Sequence, residues 1–431
     1  MVLRKYCSEI GAEDFDKEVI VAGWVQDIRK LGSIAFILLR DRTGTVQITA
    51  LKKEMPELFN TLINIPRESA ISVLGIVKES KEVKAGFEIQ PKSIEYINRA
   101  KVPLPLAVAD RVGVEFDTRF EHRFLDLRKP HVQALFKIRH TMLKAIREQL
   151  ERENFIEVHT PKIIAAAAEG GTNLFPVQYF ELEAFLAQSP QLYKQILMAT
   201  GLDKVYEIAP CFRAEEHNTL RHLNEFISVD IEQAFADEED VMQVLERLIR
   251  KIIQKIRADN KKELELLKLQ LPVPEKSFKR VQYEECVKIA QSKSIEIKFG
   301  DDFSTECLKA IGEHFKNFYF ITEWPTKAKP FYIQPFEAKP EICRAFDLMY
   351  KEKEITSGGE RVHDCNMLRE RLKSQNLNIE NFKYYLVAFE YGMPQHAGWG
   401  LGVERALMIL TNIENIRECA LFPRDRTRLT P

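Results

Sequence analysis

The chemistry-bearing residues of this chain concentrate in the stretch FRAEEHNTLRHLNEF, where Arg213, Glu215, His217, Arg221, His222 and Phe226 fall within one polar connection. Guanidinium groups present a planar fork of donors that matches phosphate oxygens, and an aromatic face suits a purine. Together they could hold a nucleotide. A solvated, charged hairpin with no ligand is the plainer reading of the same residues. A second cluster lies near the C-terminus, where GWGLGVERALMIL sets Gly402 and Arg405 at the junction of a glycine-rich run and an apolar one. A dinucleotide fingerprint requires glycine at the position that Arg405 occupies, so that reading is weak. An arginine stacked on a base, with glycines letting the backbone approach, accounts for the residues better.

These groups need elements to position them. YEIAPCFRAE and EFISVDIEQAF flank the polar connection and read as two strands of a hairpin, and FYFITEW and CRAFDLMY read as further strands. Two long helices are predicted. One runs through VQALFKIRHTMLKAIREQLEREN, with apolar residues at 132, 135, 136, 142, 143, 146 and 150; the other is EEDVMQVLERLIRKIIQKIRADN. Strands and helices do not alternate regularly, so an antiparallel sheet flanked by helices, an α+β domain, is expected over 131–431, with a small insertion around 260–335. From Val19 to Arg99 the pattern is three strands, a short helix and two more strands, which suits a small closed barrel of the OB type over 1–102; an SH3-like barrel or a sandwich fits the same pattern. Residues 103–130 contain prolines and little periodicity, and are predicted to be a linker.

Composition narrows the class. The 431 residues are 45% hydrophobic and 29% charged, which excludes a disordered, collagenous or membrane-spanning chain. With 63 Lys and Arg against 64 Asp and Glu, bulk positive charge cannot hold nucleic acid, so any such contact must be local. Seven scattered cysteines with no C-x-x-C spacing read as reduced thiols. With no apolar leader at the N-terminus and no run long enough to span a bilayer, a cytoplasmic protein with no membrane partner is expected.

Taken in order, FIEVHTPKII, FRAEEHNTLRHLNEF and GWGLGVER resemble the three signatures of class II aminoacyl-tRNA synthetases, and the barrel in front resembles the subclass for Asp, Asn and Lys. AEGGTNLF, AQSPQLYKQ, EICRAFDL, SGGERVH and LFPRDRTRLTP extend the resemblance to aspartyl-tRNA synthetases of the archaeal type, over nearly the whole chain. Members of that family activate L-aspartate with ATP and Mg²⁺ and transfer it to the 3′ end of tRNA(Asp), with no covalent enzyme intermediate. The resemblance implies Arg213 on the α-phosphate as the catalytic group, and Glu215, Arg221, His222, Leu223, Phe226, Glu354, Gly402 and Arg405 around ATP. It assigns Glu169 and Gln191 to the ammonium of aspartate and Lys194 with Arg361 to its side-chain carboxylate, with Arg213 and Ser357 also at that site. Gln191 and Lys194, three residues apart, would share one helix face. Asp347, Glu354 and Ser357 are the implied Mg²⁺ position; for Asp347 a capping or ion-pair role also remains open.

In the barrel, the resemblance places the anticodon on Phe36, Gln47 and Glu88 with Arg29 nearby, and its third base near Gln26 and Lys84. Phe36 could equally be core, since AFILLRD alternates. Lys84 resembles relatives that discriminate tRNA(Asp) from tRNA(Asn); Gln26 matches neither the Trp nor the His of known types. Charging of tRNA(Asp) is the expectation. Departures from the family are Ala166, Ala167 and Ala168 where Thr or Ser stands beside the glutamate, Ile227 for Trp, and Gln395 and Ala397 for Pro and Gly. A homodimer is also expected, with the apolar stripe of the 132–150 helix as part of its interface. The rival readings are an asparaginyl-tRNA synthetase or an asparagine-forming relative, and a paralog that binds RNA without catalysis.

Overall fold

A computed structural model describes residues 3–108, 113–165, 174–217 and 219–431. The chain divides into two compact units, Met1–Lys129 and Pro130–Pro431.

The first unit is built on β1 (Glu18–Leu31), β2 (Ile34–Arg40), β3 (Thr45–Leu51), β4 (Ala70–Glu79) and β5 (Phe87–Asn98), closed into a barrel in the order β1-β2-β3-β5-β4. Period-two alternation drives closure: Val21, Val25, Ile37, Leu39, Ile48, Val73 and Ile89 point inward and are fully buried, while their neighbours face out. Helix α1 (Pro56–Asn64) starts on a proline and seats Phe59 and Leu62 in the same core. The stretch read as a linker carries two short helices, α2 (Phe116–Glu121) and α3 (Arg123–Asp126). Its end is tied to the barrel, because Arg128 donates to Glu68 at 2.9 Å and lies over the Trp24 ring. That explains why residues up to Lys129 group with the first unit.

The second unit begins with α4 (Pro130–Arg152), β6 (Ile156–Glu157), and the three strands β7 (Ile163–Ile164), β8 (Pro176–Tyr179) and β9 (Leu182–Leu186) of a small separate sheet. Then follow α5 (Gln191–Met198), the hairpin β10 (Lys204–Phe212) and β11 (Glu225–Ala234), and helices α6 (Glu238–Asp259) and α7 (Lys261–Leu266). The region expected as an insertion contributes β12 (Lys279–Gln282), α8 (Tyr283–Ser292), α9 (Thr305–His314) and β13 (Phe318–Pro325). After β14 (Ile342–Tyr350) and β15 (Lys353–Glu360) come α10 (Cys365–Ser374), α11 (Lys383–Glu390), β16 (His396–Gly402) and α12 (Val403–Leu410). The main sheet runs β12-β13-β14-β15-β16-β11-β10-β6. It is antiparallel through its middle, with a parallel pair at each end, β12 with β13 and β6 with β10.

Two cores cover this sheet. One joins α4, α6 and α12 to Val229, Ile231, Phe346 and Trp399; the other joins α5, α8, α10 and α11 to Ile321, Phe331 and Ala345. The stripe of α4 is spent here: Leu135, Ile138, Met142 and Ile146 are buried within the chain's own core. Lys137, His140 and Lys144 stay exposed on the same helix, with Phe136 and Leu143 half-buried. No helix among the described residues is long and apolar enough to cross a membrane.

Candidate functional site

The middle of the main sheet lines up one polar row across four strands. Asp347 on β14 pairs with Ser357 on β15, Ser357 with Gly400 on β16, and Gly400 with Asp230 on β11. One step along, Glu232 on β11 pairs with Gly398, and Gly398 with Gly359. Residues two apart on a strand share a face, so these rows present carboxylates side by side. Glycine is required opposite them. A Cβ on Gly398 would stand 2.2 Å from Glu232 Oε2 and 2.3 Å from the Ile231 carbonyl, and one on Gly400 would stand 3.0 Å from Asp230 Oδ1. The glycine-rich run therefore makes room for the carboxylates of the adjacent strand.

Above this sheet lies a cavity of about 320 Å³, within the range of small-molecule sites. Among its lining residues are Arg213, Glu215, Arg221, His222, Leu223 and Phe226 from the β10–β11 hairpin, and Gly402 and Arg405 from the β16–α12 junction. Gln191, Glu354, Ser357 and Arg361 also line it. Residues far apart in sequence are thus brought to one chamber. The hairpin loop is held by its own amides and by the C-terminal segment: Asn224 Nδ2 donates to the Arg213 carbonyl at 2.9 Å, Asn224 N to the Arg424 carbonyl at 2.9 Å, and Arg417 Nη1 to the Thr219 carbonyl at 3.0 Å. Arg213 lies 5.4 Å from the Phe226 ring centroid. Burial lowers the pKa of His222, opposed by Glu215 and reinforced by Arg405, Arg213 and Arg221.

At the other end, Arg361 donates from Nε to Glu232 Oε1 at 2.8 Å and from Nη2 to Glu232 Oε2 at 3.2 Å. Both side chains are essentially inaccessible to solvent. Burial pushes the Glu232 carboxyl up, but Arg361 and Lys194 outweigh it and hold the group below the usual carboxylate range. Two of the five guanidinium donors are used, leaving others for a ligand. A hydrogen-bond chain backs Gln191: its Nε2 donates to Gln195 Oε1 at 2.9 Å, and Gln195 Nε2 lies 3.0 Å from His396 Nε2, whose Nδ1 is 2.8 Å from the Pro394 carbonyl. The amide donating to Nε2 requires the neutral Nδ1–H tautomer, and burial pushes this histidine's pKa down to about 4.

Two expected ligands do not line the cavity. Lys194 is 2% exposed, and its ammonium is bound by Asp230 at 3.1 Å and by the carbonyls of Ile231 and Trp399 at 3.1 and 3.2 Å, with Glu232 at 3.4 Å. All three of its hydrogens have partners within the protein. It sits beneath the site and orients Asp230, which Ser228 Oγ also contacts at 2.5 Å. Asp347 is 4% exposed and takes the Lys329 ammonium at 2.7 Å, the ion-pair role left open above. Lys329, not Asp347, faces the cavity. Glu354 has 45% of its side chain exposed, and Arg405 lies 3.5 Å from it. Glu169 and the run Ala166–Ala168 lie outside the described residues.

Sequence reasoning missed Asp230, Glu232 and Lys329. The first two carried a signal, carboxylates two apart in an otherwise apolar strand; Lys329 carried none. Among the described residues no group of three or more His, Cys, Asp or Glu forms a metal cage.

On the barrel, Ala35, Ile37 and Leu39 are fully buried and Phe36 is half-buried on the outer face. Phe36 pairs with Arg29 on β1 and Thr49 on β3. Glu88 accepts from Gln47 Nε2 at 3.0 Å and Thr49 Oγ1 at 2.6 Å, so these groups form one polar patch around an aromatic ring. Gln26 stands at the bulge between Val25 and Asp27, its Oε1 buried without a partner, and Lys84 is exposed in the β4–β5 turn.

Residues 115–426 match the family of class II tRNA synthetases (D, K and N), and residues 19–97 match the OB-fold nucleic acid binding domain. The chain is 55% identical over 427 residues to an aspartate–tRNA(Asp/Asn) ligase of Methanocaldococcus jannaschii, covering 99% of this chain and 98% of that one. It is 52% identical over 438 residues to an aspartate–tRNA(Asp) ligase of Pyrococcus abyssi, with all of both chains covered. Among solved structures, the asparaginyl-tRNA synthetase of Pyrococcus horikoshii complexed with asparaginyl-adenylate matches all of both chains with a TM-score of 0.95 at 33% identity.

Proposed function

The chain belongs to the class II tRNA synthetases and is an aspartate–tRNA ligase, and from that premise we propose how its residues divide the work. Phe226 and Arg405 hold the adenine between them, and Glu215, Arg221, His222 and Leu223 shape the rest of the ATP site. The α-carboxylate of aspartate attacks the α-phosphorus, pyrophosphate leaves, and a mixed anhydride, aspartyl-adenylate, remains. Arg213 is the catalytic group, since a fixed guanidinium stabilises charge growing on the α-phosphate oxygens as the new bond forms. The terminal ribose hydroxyl of the tRNA then attacks the carbonyl carbon, releasing AMP.

The observation that carries the choice of aspartate is the buried Arg361–Glu232 pair at the cavity wall. A guanidinium locked by a buried carboxylate offers its remaining donors in a fixed direction, which suits a substrate carboxylate. Gln191, backed by Gln195 and His396, serves the ammonium side, together with Glu169. Lys194 acts from below as a positioning residue.

Mg²⁺ fits the oxygen set of Asp347, Glu354 and Ser357. Asp347 Oδ1 is a buried carboxylate oxygen without a partner, and Mg²⁺ is characteristically held by one or two carboxylates plus substrate phosphates. When bound, the ion supplies charge neutralisation to the phosphates.

Anticodon recognition falls to Phe36, Gln47 and Glu88 with Arg29, for a base stacked on the ring and hydrogen-bonded at its edge. Gln26 and Lys84 serve the third base, with tRNA(Asp) as the substrate. A homodimer is supported by the three-stranded sheet, where Ile163, Tyr179, Phe180 and Leu182 are 43 to 79% exposed. Seven free cysteines, mostly buried, support a cytoplasmic setting.

Pyrophosphate exchange driven separately by aspartate, asparagine and lysine tests the reading. Aspartate alone should drive it. Exchange with asparagine alone would favour the asparagine enzyme, and no exchange with any would favour an RNA-binding paralog.

A further inference from the structure

Positive charge from the chain itself already stands beside both carboxylates of the metal position. Lys329 donates to Asp347 Oδ2 at 2.7 Å, and Arg405 lies 3.5 Å from Glu354. Each carboxylate expected to hold a divalent ion thus has its own resident cation. The lysine is not a mobile surface group. Its side chain is only 12% exposed, and its ammonium sits 3.8 Å from the centroid of the buried Trp324 ring. Its backbone is clamped from α10, because Arg371 donates to the carbonyls of Thr326, Pro330 and Phe331 at 3.2 to 3.4 Å, and Gln375 to that of Lys329 at 3.0 Å. The fold aims this ammonium at Asp347 and sets it between that carboxylate and the cavity.

We infer that Lys329 is a placeholder cation, which neutralises Asp347 in the nucleotide-free protein so that a divalent ion enters this position only together with the triphosphate. The inference rests on the assignment of Asp347, Glu354 and Ser357 to Mg²⁺. The charge balance explains it. A bare divalent ion approaching two carboxylates already paired to a lysine and an arginine gains little attraction and must displace a cation held on an aromatic face. The triphosphate changes the balance by bringing several negative oxygens, which give the ion the rest of its shell and give the displaced ammonium new acceptors. Trp324 keeps that ammonium in the chamber when Asp347 releases it. Lys329 is on this account a positioning residue for metal and phosphate.

The full-length protein, Lys329→Met, Lys329→Gln, Lys329→Arg and the double variant Lys329→Met/Asp347→Asn would be titrated with Mn²⁺ at pH 8. Free ion is read by electron paramagnetic resonance, first without nucleotide and then with a non-hydrolysable ATP analogue. Without nucleotide, the Met and Gln variants should bind Mn²⁺ at least about tenfold more tightly than the parent, Lys329→Arg should stay close to the parent, and the double variant should lose the gain. With the analogue, the parent should take up Mn²⁺ and the tenfold advantage should disappear. Unchanged affinity in both neutral variants, a gain that survives Asp347→Asn, or an advantage that persists with the analogue would each overturn the inference. Circular dichroism melts identify any variant that fails to fold, and the second neutral variant then decides. Exchange by the unmodified protein is scored separately: aspartate-dependent exchange with no Mn²⁺ effect defeats the placeholder alone, whereas absent exchange defeats the functional reading.

Discussion

Arg361 and Glu232 meet through two parallel hydrogen bonds, 2.8 and 3.2 Å long, at a place that solvent does not reach. Removing one partner of such a pair leaves an uncompensated buried charge, at a cost of about 3 to 5 kcal/mol. Glu232→Ala should therefore lower unfolding stability by that order. It should also release Arg361 from its fixed direction and reduce aspartate-dependent exchange at least about a hundredfold. Urea unfolding and exchange kinetics check both parts; unchanged exchange would remove the pair from aspartate binding.

Lys194→Met should act through Asp230 and Glu232. The loss should be about 3 kcal/mol or more in kcat/KM for aspartate, at least about a hundredfold, with the KM for ATP nearly unchanged. Asparagine should not become the preferred substrate, because Lys194 does not line the cavity. A rise in ATP KM equal to that for aspartate would indicate a general collapse of the site.

Phe36→Ala should cost about 1 to 3 kcal/mol of base stacking and weaken tRNA(Asp) and tRNA(Asn) alike. Lys84→Pro should narrow the gap between them, the unmodified enzyme preferring tRNA(Asp). Charging both transcripts side by side decides, with equal efficiency in the parent defeating the preference.

His396 and Glu360 make opposite contributions to the pH dependence of stability. For the histidine, a folded pKa of about 4 against an ordinary value of 6.5 means that the unfolded chain binds the extra proton first, so stability falls as pH drops from 6.5 toward 4. Burial and the neighbouring Glu238 raise Glu360 to about 7 from 4.5, with Arg344 opposing, so its contribution falls as pH rises from 4.5 toward 7. The two offset each other between pH 4.5 and 6.5. Glu360→Gln removes one arm, and its stability should climb over that interval by about 2 to 3 kcal/mol more than the parent's. Parallel urea-derived stability profiles would show that the carboxyl is not raised.

Sedimentation at micromolar concentration should give a dimeric mass, and Phe180→Asp should shift it toward the monomer. A monomeric, fully active parent would rule the dimer out.

The local part of the site was legible in the sequence because it is local. Arg213, Glu215, His222 and Phe226 share one hairpin, and Gly402 and Arg405 share one strand–helix junction, so spacing alone groups them. Pairings across the sheet were not legible. Nothing in a linear reading sets Lys329 on Asp347, or shows that Asp230 and two carbonyls take the donors of Lys194. The barrel announced itself through period-two alternation; the α4 stripe announced burial but could not say against what, and α6 turned out to be the answer.

The missing side chains of Gly398 and Gly400 bind the history of β16 to that of β11. An alanine at 398 would meet both Glu232 Oε2 at 2.2 Å and the Ile231 carbonyl at 2.3 Å, and Glu232 cannot be lost while Arg361 stays buried. Each single step passes through a clash or a stranded charge, and the backbone part of the clash at 398 remains whatever residue stands at 232. The fold thereby makes this wall resistant to drift.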